Sequence, residues 1–130
     1  MASTTANPTL DADIARLERL GYELEVLSAG GEIGVVVHDL PLPAGYNRST
    51  TSLLVKTTTL YPASAMDMFW VDAELLLANG ACPQSGESIE VQFDRTWRRY
   101  SWHRNTTWVP GRDDLIGHVE FCVARLQRPV

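Results

Sequence analysis

A chain of 130 residues that is 45% hydrophobic and has only two cysteines fits one domain with a buried core and no need of disulfide or metal staples. A formal net charge of −5 argues against a general affinity for nucleic acid. No segment has the length of a membrane span, and MASTTANPTL is not a leader with a basic region before an apolar run, so a soluble cytoplasmic protein is expected.

Residues 1 to 9 are small, polar and proline-containing, and read as a loose N-terminus ahead of a single domain over 10 to 130. Leu10, Ile14, Leu17 and Leu20 recur at spacings of three and four, which predicts an amphipathic helix with Asp11 or Asp13 near its cap, stopped at Gly21. Tyr22 to Leu27 alternates with the period of a half-buried strand, and Ala29-Gly30-Gly31-Glu32 supplies the turn. Ile33 to Leu40 is a second strand whose Val35-Val36-Val37 run predicts burial on both faces, with His38 partly buried at its end. Thr50 to Leu60 is a third strand, and Tyr61-Pro62 stops it because proline lacks the ladder donor. Met68 to Val71 is a short apolar fourth strand.

From Asp72 to Asp94 the signals are mixed: Leu75-Leu76-Leu77 reads as a buried turn or short helix, and Asn79 to Gly86 as loop. Arg95 to Leu115 is rich in arginine and tryptophan (Trp97, Trp102, Trp108) and reads as the irregular stretch where chemistry would sit. Its basic residues are either self-paired against the acidic N-terminal quarter or, with their interleaved aromatics, an interaction surface for protein or nucleic acid. After Gly111, Asp113 or Asp114 can cap a last helix with Leu115, Val119, Cys122 and Leu126 on one stripe. The fold class is therefore α+β, with an N-terminal helix, a four-strand antiparallel meander, an irregular active-site stretch and a C-terminal helix.

This order, with Tyr61-Pro62 closing the third strand and Trp108-Val109-Pro110 leading into a helix that ends Cys122-Val-Ala-Arg-Leu126, resembles the ubiquitin-conjugating enzyme superfamily, and in particular a bacterial branch of it. The resemblance spans residues about 10 to 127. It implies acyl transfer of a ubiquitin-like protein in a bacterial modification pathway. The partners it implies are that modifier, an adenylating activating enzyme and a deconjugating metalloprotease, with no cofactor and no membrane. Tyr61, Pro62, Trp108 and Pro110 would be the structural motif.

Family members carry the modifier as a thioester on a cysteine several residues before Trp-x-Pro, with His-Pro-Asn ahead of it. Here there is no His-Pro-Asn, and Ser101-Trp102-His103 occupies the approach to Trp108. A serine needs a base to become nucleophilic and histidine is the usual one; two residues apart on an extended segment, Ser101 and His103 would share a face. That pair could carry the modifier as an oxyester, or be purely structural. Arg98, Arg99 or Arg104 could bind a carboxylate or stabilise an oxyanion. Cys82, after Asn79-Gly80, is the rival nucleophile, with the Asn79 amide as a nearby donor. Cys122, on the apolar stripe, is core. Metal binding is not expected, since His38, His103, His118 and the cysteines show no short pair spacing. A variant that binds the modifier without carrying it is the remaining reading within the family.

Overall fold

The computed structural model describes residues 5 to 130, so the first four residues of the tract read as loose lie outside the described residues. Two helices and six strands follow in the order α1 (Pro8–Arg19), β1 (Glu23–Ala29), β2 (Glu32–Pro41), β3 (Thr50–Thr58), β4 (Phe69–Asp72), β5 (Ser88–Gln92), β6 (Arg95–Tyr100) and α2 (Leu115–Leu126). Among the described residues, no helix is long and apolar enough to cross a membrane.

Helix α1 starts where Asn7 places its side-chain oxygen 3.0 Å from the Leu10 N–H and Pro8 takes a position that needs no donor. Neither Asp11 nor Asp13 is the cap. Asp11 accepts from the Thr5 N–H and hydroxyl just ahead of the helix, while Asp13 is buried in tertiary contacts. Leu10, Ile14 and Leu17 fill the core from this helix, each contributing about 1.5–3 kcal/mol by burial. Helix α2 is capped by Asp114, whose carboxylate accepts from Gly117 N–H at 2.8 Å, and buries Leu115, Ile116, Val119, Cys122 and Leu126.

All pairings in the sheet are antiparallel, and the order is β1-β2-β3-β4-β6-β5. One face, with Val35, Val37, Leu53, Val55, Phe69, Val71 and Tyr100, packs under the helices. The opposite face has its own cluster of Val36, Leu54, Trp70 and Trp97, so the valine run of β2 is buried on both sides as expected.

The expected four-strand meander is thus the first part of a six-stranded sheet: β5 forms in the stretch of mixed signals before Asp94, β6 in the stretch expected to be irregular, and the two pair as a hairpin. Its turn is Phe93–Asp94, both at positive φ (52° and 60°), which is two-residue hairpin geometry without the Asn or Gly that announces it. Tertiary packing holds Phe93 there. Its ring lies over Gly34 of β2, where an added Cβ would come within 2.7 Å of the ring and 2.9 Å of Leu54. Beside it, the Lys56 ammonium donates to Gln92 at 2.7 Å and sits 5.2 Å above Trp70, and Arg95 forks onto the Glu25 carboxylate at 2.7 and 3.2 Å. The hairpin therefore reaches across the back of the sheet to β1 and β2.

The Tyr61 hydroxyl closes the helical side. It donates to the Asp13 carboxylate of α1 and accepts from the Leu115 N–H of α2 at 2.7 Å. The Tyr61 carbonyl accepts from the Asn7 amide, and the Pro62 carbonyl accepts from Trp108 Nε1 at 2.8 Å. Tyr61-Pro62 is cis.

Two outcomes follow. Tyr61→Phe leaves the buried Asp13 carboxylate and the Leu115 N–H without this partner and should cost about 2–3 kcal/mol in urea denaturation. Gly34→Ala should cost about 1–3 kcal/mol by overpacking and raise amide exchange in the β5–β6 hairpin before the rest of the sheet.

Candidate functional site

Beyond β4 the chain turns through residues 73–87, a loop fixed at several points. Leu75 is fully buried, and the Asn47 side chain binds both the Glu74 carbonyl and the Leu76 N–H at 3.0 Å. Gly80 takes φ 86°, and the Asn79 oxygen accepts from Ala81 N–H at 3.0 Å, so this amide shapes the turn that presents Cys82. Cys82 is exposed, whereas Pro83 and Gly86 behind it are buried.

Arg98 of β6 points into this loop from below. It is 7% exposed, and its Nη1 donates to the Gly86 carbonyl at 2.7 Å and to Cys82 Sγ at 3.5 Å, while Nη2 donates to the Ala73 carbonyl at 2.9 Å. Among the described residues it has no carboxylate partner, and its Nε is buried without a hydrogen bond. Arg125 of α2 braces the same loop. Its Nη2 donates to the Gln84 and Val130 carbonyls at 3.0 and 3.2 Å, its Nη1 to that of Arg128, and its guanidinium stacks on Tyr100 and Trp102.

Ser101 and His103 lie past the end of β6 and are not joined by a hydrogen bond. The Ser101 hydroxyl accepts from Arg99 Nε at 3.0 Å, and Arg99 is itself committed to Glu90 at 2.6 Å. Glu90 also takes a hydrogen bond from Trp70, which together with the charge of Arg99 holds its carboxyl below the usual range. His103 Nδ1 pairs with Asp67 at 2.7 Å on the surface, at a shallow cleft of about 330 Å³ that Met66, Arg104 and Trp108 also line. Asp67 was not a sequence candidate: it lies 36 residues from His103 and no local pattern links them. The loop that carries Cys82 passes beside the end of β6, where the Ser101 N–H donates to the Ser85 carbonyl at 2.8 Å, whereas the His103 ring is turned to Asp67.

The rest of the basic stretch is neutralised within the molecule, Arg95 by Glu25 and Arg104 by Asp113 at 3.2 Å. Arg104 also stacks between Trp108 and Phe121 and donates to His118 Nδ1 at 3.3 Å. Trp108 is half-buried and Pro110 exposed, so the tryptophan does the packing at the entry to α2. Cys122 is fully buried, and burial pushes its thiol well above the usual value. Among the described residues, no group of three or more His, Cys, Asp or Glu is placed to hold a metal ion.

His118 is fully buried, and burial, reinforced by the Arg104 charge, lowers its pKa from 6.5 to about 4. It stays neutral in the fold and takes its proton only on the unfolded chain between these two pH values. Stability should therefore be complete above pH 6.5 and fall as the pH drops towards about 4, by on the order of 3 kcal/mol. Melting temperature against pH measures this, and His118→Gln, which keeps an acceptor for Arg104, should flatten the slope between pH 6.5 and 5.

A family model described as prokaryotic E2 family E matches residues 9–129. No curated protein and no solved structure gives a significant match.

Proposed function

The chain belongs to prokaryotic E2 family E, and we propose that in a bacterial ubiquitin-like modification pathway it accepts the modifier's carboxyl terminus from an adenylating activating enzyme on Cys82 and passes it to a target. The observation that carries this reading is the buried Arg98 guanidinium, which meets no carboxylate among the described residues and donates to the exposed Cys82 sulfur. The buried guanidinium is little screened by water, so it stabilises negative charge growing on a carbonyl oxygen placed against it better than a surface arginine would.

The step is acyl transfer. The Cys82 proton leaves to solvent, Sγ bonds to the activated carbonyl carbon, and the carbonyl electron pair moves to oxygen beside Arg98. Collapse of the oxyanion expels the activating group with its bonding pair and leaves a thioester. Transfer to the target repeats this attack with the target's nucleophile. His103 is paired with Asp67 at the surface and makes no hydrogen bond to Cys82. The single lysine, Lys56, is held by Glu32 and Gln92 under the hairpin, so it is a poor self-modification target. A deconjugating metalloprotease is the further partner this reading invites.

The oxyester on Ser101 and a binding-only role are separated from this by one experiment, intact mass after incubation with the cognate activating enzyme, modifier and ATP. The expected adduct is released by thiols, lost in Cys82→Ala and kept in Ser101→Ala. Arg98→Met should slow its formation by about 10²-fold or more, with a melting curve run beside it to separate chemistry from folding. A thiol-resistant, hydroxylamine-sensitive adduct that vanishes in Ser101→Ala would move the acceptor to Ser101. Absence of any adduct with a charged activating enzyme would leave a binder.

A further inference from the structure

Strand β5 is the outer edge of the sheet, and the far side of its backbone meets no other strand among the described residues. Edges are usually blunted by lysine, proline or a bulge. Ser88-Ile-Glu-Val-Gln92 has none of these, and its register with β6 runs unbroken from Ser88 opposite Arg99 to Gln92 opposite Arg95. The opposite edge, β1, carries Glu23 and Glu25 instead, with Glu25 tied to Arg95 and His38.

The exposed side chains of β5 are apolar. Ile89 is 49% and Val91 68% exposed, and the residues between and beside them turn to the other face, where Glu90 binds Trp70 and Arg99. Residues directly opposite in an antiparallel pair share a face, and Ile89 lies opposite Arg98. The two bare side chains are therefore on the side of the sheet to which Arg98 points when it reaches Cys82. At the Ser88 end the edge runs directly into Gly86, whose carbonyl shares Arg98 Nη1 with the Cys82 sulfur.

We infer that β5 docks the extended carboxyl-terminal tail of the ubiquitin-like modifier as an added antiparallel strand, with its apolar side chains alternating over Ile89 and Val91. An antiparallel strand runs from the Gln92 end to the Ser88 end, so its last residues arrive at the Cys82 loop, and a tail of five or six residues spans the edge. Main-chain pairing gives affinity without demanding one sequence, and alternate side chains give selection. A second copy of this chain is the other occupant such an edge invites, but five residues offer far less than the roughly 800 Å² per partner of a stable dimer. The inference rests on Cys82 as the acceptor.

The test uses the intact protein and two synthetic thioesters of the same small thiol: a hexapeptide, Ser-Val-Ser-Val-Ser-Gly, and glycine alone. In both, Cys82 Sγ displaces the small thiol, which leaves with the proton, and intact mass follows the adduct. The hexapeptide should charge Cys82 about tenfold faster per unit concentration than the glycyl thioester. N-methylating its amides in one alternating phase should abolish that advantage and in the other phase leave it, and Ile89→Asp with Val91→Asp should bring the hexapeptide rate towards the glycyl rate.

Charging by glycine with no hexapeptide advantage, or equal effects of both methylation phases, overturns the docking and leaves Cys82 as acceptor. Failure of both thioesters to charge Cys82 overturns the acceptor and the docking together. A peptide-free protein that sediments as a dimer and becomes monomeric in the double variant, with peptide charging unaltered, assigns the edge to a second copy and overturns the inference.

Discussion

The hydroxyl of Tyr61 is the contact on which the helical side depends. It has one proton and two lone pairs, and it spends the proton on the Asp13 carboxylate and a lone pair on the Leu115 N–H, so a single atom joins helices about a hundred residues apart in sequence. Burial, helped by the negative charge of Asp13, keeps the phenol well above its usual pKa and therefore a donor at any ordinary pH. The N–H it accepts from is the first of α2, which fixes where that helix begins. Ten residues further on the same helix places Arg125 against the carbonyl of Gln84. The turn at Tyr61 thus sets, through the length of a rigid helix, the position of the loop that displays Cys82.

The back of the sheet solves a different problem. A valine run that is apolar on both faces cannot leave one face in water, and among the described residues no helix covers the second. The β5–β6 hairpin does so by curling over it, with Phe93 seated on Gly34 and Trp97 on Val36, Leu54 and Trp70. Along the rim, Arg95 with Glu25 and Lys56 with Gln92 fasten the hairpin to β1 and β3, and Arg99 with Glu90 joins its own two strands. Such part-exposed pairs are individually weak, so the anchorage comes chiefly from the buried aromatics, and the ion pairs fix register.

What could be read in the chain was what local periodicity encodes. The spacing of Leu10, Ile14 and Leu17, the alternation after Tyr22, the β-branched run before Tyr61 and the stripe from Leu115 to Leu126 each report burial of one face, and each element formed within a few residues of its expected bounds. The hairpin stayed hidden for two reasons. Its turn uses Phe93 and Asp94 at positive φ, a choice that only tertiary packing can hold, and β6 reads as a charge run because the partners of its arginines are distant in sequence. The same distance hid Asp67 from His103. The family resemblance was carried by Tyr61-Pro62 and Trp108-Val109-Pro110, and these do meet, through the Pro62 carbonyl and the Trp108 ring nitrogen. For the site itself, both nucleophile candidates and Arg98 were visible as residue types, but which arginine faced which nucleophile was not.

That last distinction is one of charge balance. Of the four arginines from Arg95 to Arg104, three meet a carboxylate, Arg95 at Glu25, Arg99 at Glu90 and Arg104 at Asp113, and present little net field to anything beside them. Ser101 neighbours Arg99, so it stands next to a cation already spent. Arg98 alone of the four meets only carbonyls and a sulfur among the described residues, although leaving a guanidinium buried without a counter-charge costs several kcal/mol. Carbonyl dipoles offset part of that cost but do not cancel the charge. In a protein with a net charge of −5, the uncompensated cation lies beneath the one exposed thiol, and any reaction in which negative charge grows on that sulfur or on an oxygen bonded beside it supplies the missing partner. That complementarity, rather than proximity to Trp108, is why the acceptor is proposed at Cys82.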